Sequence, residues 1–271
     1  MPDPSFDFWL KNWYFEPSIV LGLLGLYGGY ILATGRYRSR FAHNRPLTSG
    51  QFAAFTSGVV VLVIALLSPL DRLGDAYWFT AHMIQHVLLT LVAPPLLIIG
   101  APGWLYEPLR GRRSVLGLAT ASTNPYLAFF VFNFVFAIWH VPSLYDAALQ
   151  NEGVHILEHL SFIVTALLTW MPVLSPTPLL PRLSPPLAVL YLFLQSLPPT
   201  ILGAIITFDE TALYSFYVTA PRLWGLSVMD DQLWAGLVMW IGGALIWLLA
   251  LSVIFFKWFN RQESVEGQGL I

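Results

Sequence analysis

Seven separate stretches of this sequence are long and apolar enough to cross a bilayer, for which a helix needs about 20 such residues. They cover about residues 17–34, 50–68, 77–99, 124–141, 153–173, 185–206 and 231–256. Proline, glycine or charge punctuates every gap between them. Pro94-Pro95 falls near the end of the third stretch and Pro198-Pro199 inside the sixth. Neighbouring helices can satisfy backbone groups that proline frees, so both stretches stand as spans. Composition agrees: 56% of the 271 residues are hydrophobic and 10% are charged, against about 25% charged in a soluble domain. Mean hydropathy is +0.67. The expected fold is an all-α membrane protein, a bundle of seven transmembrane helices forming one polytopic domain over residues 1–271. No internal repeat, low-complexity tract or soluble domain interrupts it. Asp3, Asp7 and Glu16 precede the first stretch in place of a basic run, which reads as a retained span and not a cleaved signal.

Orientation follows from the basic residues, because short positive loops stay in the cytoplasm. Arg36, Arg38, Arg40, Arg45, Arg110, Arg112, Arg113, Arg182, Lys257 and Arg261 fall on one side, ten of the thirteen Lys and Arg. Lys11, Arg72 and Arg222 fall on the other, together with Asp71, Asp75, Asp146, Glu152, Asp209, Glu210, Asp230 and Asp231. The expected topology is N-out and C-in. The longest outer loop, about 207–230, carries Phe208, Tyr214, Phe216, Tyr217 and Trp224 and is expected to lie along the membrane surface as a short amphipathic segment. The near-neutral charge of −2 gives no sign of nucleic acid, and the absence of cysteine excludes disulfides and thiolate metal sites.

With the topology set, five of the six histidines gather at the outer end. His82 and His86 lie in the outer half of the third span, His140 ends the fourth, and His155 and His159 open the fifth. Residues four apart share a helix face, about 6 Å apart along the axis, so each pair aligns two imidazoles on one stripe. Glu158 lies beside the second pair, and is the one acidic residue placed within a span beyond its first residue. Polar groups in lipid face the bundle interior or a cavity, so histidines at one depth on three spans are expected to converge. Imidazole suits Cu, Zn, Fe and Ni. A single histidine near an interface is ordinarily a hydrogen-bonded or snorkelling residue, whereas two such pairs favour a metal or proton-relay role. His140, before Val141-Pro142, reads equally as a ligand or as a helix-end hydrogen-bond donor. His43, in a basic loop, reads as solvated.

Other polar and soft residues carry blander readings. Met83, Met229 and Met239 could ligate Cu(I), but gap filling is favoured. Trp234, Trp240 and Trp247 read as packing and interface anchors. Asp230, Asp231 and Gln232 open the seventh span, where carboxylates favour their own helix N terminus. Asn133 and Gln195 read as interhelical hydrogen bonds.

At these residues the sequence resembles the seven-span CtaG-type cytochrome c oxidase assembly factors. The matching stretches are Ala81-His82-Met83-Ile84-Gln85-His86 with Ala93-Pro94-Pro95, and Trp139-His140-Val141-Pro142 with Tyr145-Asp146. Then come His155, Glu158-His159, Trp170-Met171-Pro172, Asp231-Gln232, Gly236 and Met239-Trp240. They keep their order over roughly residues 50–256. The resemblance implies maturation of a haem-copper terminal oxidase in the bacterial plasma membrane, connected with copper delivery. On it we expect a non-enzymatic assembly factor whose outer His82, His86, His140, His155, His159 and Glu158 hold a copper ion transiently, with zinc and iron open as alternatives. The implied partners are oxidase subunits, a copper chaperone and the bilayer, and no nucleic acid. The rival readings are a membrane metal oxidoreductase using His and Glu158, a haem protein and a copper channel. A di-iron enzyme wants more carboxylates than the spans hold, four histidines at one depth suit a single haem poorly, and a channel wants ligands staged across the membrane.

Overall fold

Proline and capping residues set where most of the helices start. Pro17, Pro69, Pro125, Pro142 and Pro185 open helices, where the missing N–H loses no bond and φ is already helical. Glu16 accepts from the Ile19 amide, Asn124 from Tyr126 and Leu127, and Asn151 from Val154. Thr48 with Gln51, and Ser227 with Asp230, form reciprocal capping boxes.

The structure is a computed structural model that describes residues 6–41 and 45–268, so His43 lies outside the described residues. Every regular element among them is helical. The helices that matter here are α1 (Pro17–Thr34), α2 (Ser49–Leu67), α3 (Pro69–Ala76), α4 (Phe79–Gly100), α5 (Arg113–Ser122), α6 (Pro125–Trp139), α7 (Pro142–Gln150), α8 (Glu152–Leu174), α9 (Pro185–Phe208), α10 (Ser215–Thr219) and α11 (Val228–Glu263). Six of them, α1, α2, α4, α8, α9 and α11, are long and apolar enough to cross a membrane. The expected fourth span, 124–141, is the exception. Its helix α6 has 15 residues, about 22 Å at 1.5 Å per residue, against a hydrocarbon core of about 30 Å. It reaches a spanning length only together with α5, from which it bends by 63°. Leu21, Phe130, Phe134, Ile201 and Leu249 point outward, an apolar exterior that suits lipid and makes this a multi-pass membrane protein.

Close approach at glycine fixes the frame around the site. A Cβ on Gly236 of α11 would stand 2.7 Å from the Thr207 amide nitrogen, and one on Gly203 of α9 2.7 Å from that of Trp240. Small residues let membrane helices meet backbone to backbone in this way. Both α4 and α11 contain a single π-helical turn, at Leu88–Val92 and Val238–Gly242. Trp170 of α8 donates to the Thr90 carbonyl inside the first of these and stacks on Trp247. Trp247 therefore packs, while Trp234 is exposed. Met83 and Met239 fill the core, but Met229 lies at the surface and fills no gap. Asn133 donates to Gln195 across helices.

The 207–230 segment, with α10 in its middle, packs one face onto the bundle. Gln232 grips its first half at Leu213 N and Thr211 O, Asp146 of α7 accepts from Ser215 and Phe216, and Tyr214 and Tyr217 turn inward and are buried. Phenols that can bond inside find a better place there than in the headgroup layer.

Helix α3 folds back against α4 and carries two carboxylates inward. Gln85 of α4 donates to Asp71 Oδ1 at 2.6 Å and to Ala65 O at 2.8 Å. Burial, then the neighbouring Asp75 charge, pushes the Asp71 carboxyl up to about 8 against the pull of Gln85. A carboxyl raised on folding holds its proton in the folded state, so its contribution is complete below the usual carboxylate range and lost as pH rises through about 8. The detergent-solubilised protein should therefore melt on the order of 5 °C lower at the alkaline end of that window than at the acid end. Asp71→Asn should remove most of this slope. An unchanged slope in that variant would show that the dependence originates elsewhere.

Candidate metal centre

Three helices bring the candidate ligands to one end of the bundle. The i,i+4 spacing on α4 points His82 and His86 at α8, whose own pair, His155 and His159, faces back with Glu158. His140 caps the C terminus of α6 beside them. Ring centroids of His82 lie 5.7 Å from His155 and 5.9 Å from His159, and His86 lies 5.8 Å from His159 and 5.7 Å from His140. One atom from each of His82, His155, Glu158 and His159 can be chosen so that all four lie within 4.8 Å of one another. His86 Nε2 adds a 3.5 Å approach to Glu158 Oε1. His140 stands apart in kind: its Nδ1 already meets the Phe136 carbonyl at 2.7 Å, leaving Nε2 alone toward the cluster.

Two features differ from the sequence reading. Four of the five imidazoles, those of His82, His86, His140 and His159, are buried, and His155 alone of the five keeps a partly exposed side chain. His82 and Glu158 have no exposed surface and His86 has 2%, because the inward-turned tyrosines close over them. Tyr214 donates to the His140 carbonyl and Tyr217 to that of Gly74, and Tyr145 packs 5.2 Å from the His82 ring. Nor is Glu158 the one carboxylate present. Asp75 of α3 places Oδ1 3.5 Å from His82 Nδ1 and 3.3 Å from His155 Nε2. Burial pushes its carboxyl up to about 6, and His155 pulls it back. The signal that could have found it is the acidic i,i+4 pair Asp71/Asp75, placed just before a helix that opens with paired histidines.

Asp231 is the second residue whose role the sequence reading misplaced. Asp230 serves its own helix through the capping box. Asp231, one position on, turns to α4 instead and accepts from the amides of Phe79 (3.0 Å) and Thr80 (2.9 Å) and from the Thr80 hydroxyl (2.8 Å). The α4 N terminus has no cap of its own. Asp231 thus anchors the first turn of the helix that carries His82 and His86.

The donor set fits a metal ion. Asp75 Oδ1, both ring nitrogens of His82 and of His86, Nε2 of His140, His155 and His159, and both Glu158 oxygens are buried and make no hydrogen bond within the protein. Each unsatisfied buried polar atom costs about 1–3 kcal/mol, so a folded chain does not ordinarily collect this many without something for them to bind. With no cysteine in the sequence, the set is imidazole and carboxylate, which suits Cu, Zn, Fe or Ni.

A multi-pass helical membrane protein with a buried histidine–carboxylate cluster is the class that fold and site define. Residues 28–261 match the family described as cytochrome c oxidase caa3 assembly factor, Caa3_CtaG, and the chain belongs to that family. An uncharacterized protein of Mycobacterium leprae is 25% identical over 268 residues, and one of Mycobacterium bovis 23% identical over 280 residues. These alignments cover 92% and 96% of this chain but 39% and 41% of the relatives, so the chain spans about two fifths of their length. No solved structure matches.

Proposed function

We propose that this protein is a non-enzymatic metal-handling factor that binds copper at the His82/His86/His155/His159/Glu158 cluster and passes it to a haem-copper oxidase during assembly. The observation that carries this reading is the convergence of unbonded buried imidazoles and carboxylates in a chain without thiols. Copper is the cargo here. The chain's part is to hold it by neutral imidazoles while Glu158 and Asp75 offset its charge. Its partners are oxidase subunits and a copper chaperone, and its place is the bacterial plasma membrane. Family membership supports the assembly role.

The proposal includes one polytopic domain over residues 1–271, with seven spans in which α5 and α6 together form the fourth, N-out and C-in. The ten-to-three basic asymmetry supports this, and it puts the cluster on the outer face, away from cytosolic thiols. Reporter fusions after Arg45 and Arg113 should read as cytoplasmic, and fusions at Asp75 and Asn151 as external. A cytoplasmic signal at Asp75 would overturn the orientation.

The direct test is metal analysis of the purified protein beside the His82, His86, His155 and His159 quadruple alanine variant. Copper should accompany the wild type and be lost from the variant. Equal copper in both would remove the cluster from the proposal. A second reading, a membrane metal oxidoreductase, gains from the finding of Asp75, because a second carboxylate brings the donor set nearer to that of a redox site. Turnover of a small reductant by the copper-loaded protein would favour it.

A further inference from the structure

Distances to the two carboxylates divide the unbonded imidazole nitrogens into two groups. Ions of this class held tetrahedrally at about 2.0–2.1 Å leave their ligand atoms about 3.3–3.4 Å apart, whereas an N–H···O hydrogen bond closes to about 2.7–3.2 Å. Asp75 Oδ1 stands 3.3 Å from His155 Nε2 and 3.5 Å from His82 Nδ1. Glu158 Oε1 stands 3.5 Å from His86 Nε2 and 4.0 Å from His82 Nε2. The three shorter separations match the edges of a coordination polyhedron better than hydrogen bonds, and the 4.0 Å one must close by about half an ångström on loading. The two sets have one residue in common, and they meet it at different atoms. His82 offers Nδ1 to the Asp75 set and Nε2 to the Glu158 set, and the two nitrogens of one imidazole diverge, so no single ion takes both.

We infer that the cluster is a pair of metal subsites bridged by the His82 ring: one formed by Asp75, His155 and His82 Nδ1, the other by Glu158, His86 and His82 Nε2. The inference rests on the metal-binding reading above and adds Asp75 to its ligands. Bridging requires His82 to release its ring proton to solvent as the second ion loads, and binding at such sites is proton-linked in general. His159, within reach of the first set and of Glu158, completes either one.

The surroundings of the subsites differ. Asp75, His155 and His159 line a cleft of about 500 Å³ that runs between α1, α2 and α8 and is also bordered by Tyr14 and Glu16. His86 borders instead a much smaller void of about 20 Å³ beside Thr90 and Met239. The Asp75 subsite is therefore the exchangeable one, and the Glu158 subsite retains its ion.

The experiment uses the full chain in lipid nanodiscs, loaded with excess Cu²⁺, desalted, and measured for copper and protein. The wild type should carry two copper ions per chain, and a brief wash with a membrane-impermeant chelator should remove one. Asp75→Asn, which keeps shape and volume, should carry one, and that one should resist the wash. His86→Gln should also carry one, lost to the wash. A wild type that saturates at one copper would overturn the paired site and leave the proposed function standing. A wild type that takes no copper would overturn both. Asp75→Asn holding two ions would remove Asp75 from the ligands and so overturn the division. Should Asp75→Asn fail to accumulate, the two-step wash of the wild type decides alone, and release of all copper in one phase counts against the paired site.

Discussion

In cells whose only copy carries His82→Ala with His159→Ala, the terminal oxidase should be made as polypeptide but contain little copper, with activity reduced roughly tenfold or more. The two imidazoles come from different helices and face each other across the centre of the cluster, with rings 5.9 Å apart. Removing both takes away two of the four donors that lie within 4.8 Å of one another across α4 and α8. His82 is fully buried, so its loss also opens a small cavity. Abundance of the protein in the membrane is therefore the necessary control. Glu158→Gln, with the same shape, separates ligand from support: a defect as deep as that of the double variant makes the carboxylate a ligand, and a milder one makes it a partner that orients an imidazole. Added copper should restore part of the activity by mass action on a weakened site. The measurement is metal content and activity of the oxidase purified from each strain. Full copper and full activity from the double variant would end the delivery proposal.

Asp231→Ala should be the most destabilising single change near the site, although Asp231 touches none of the candidate ligands. It would strand two buried amides at the start of α4, while the Thr80 hydroxyl would keep only the Asp231 main-chain carbonyl. Loss of a cap costs about 1 kcal/mol, and each buried donor left without an acceptor about 1–3 kcal/mol. A total of about 3–5 kcal/mol corresponds to a melting point lower by roughly 10 °C in a chain of this size. Because His82 follows two residues after Thr80, the frayed turn carries it off position, and copper retention should fall together with stability. Asp231→Asn keeps one accepting oxygen and should lie between the two. An alanine variant that melts with the wild type would show that α4 is held by its packing alone.

The helices were legible in the sequence because lipid imposes one rule on long apolar runs, and the two His pairs were legible because spacing of four on a helix leaves one possible face. What escaped was set by tertiary contact. Asp231 sits beside a complete local cap formed by Ser227 and Asp230, and a reader of local signals assigns both aspartates to it. Only the packing of α11 against α4 shows that the second one points to another helix. Asp75 reads as part of a polar connection, and its place in the cluster depends on α3 folding back, which no periodicity announces. The 15-residue helix α6 reads as a full span because its Phe-rich run continues apolar toward Val141. The turn at His140–Val141, just before Pro142 opens α7, cuts it short.

The two π turns have a consequence for how this chain tolerates change. An extra residue within one turn rotates everything beyond it by about 100° relative to an unbroken helix. In α4 the half that carries the histidines and the half that packs Leu97 against α2 are thus set on independent phases. Deleting one residue between 88 and 92 would let the helix continue across the bilayer, yet it could not satisfy both halves together: one would keep its neighbours and the other would turn its wrong side to them. Lengths on either side of such a turn are free to drift in relatives only in steps that restore the phase. In comparing distant members, the register should be counted separately on each side of residues 88–92 and 238–242.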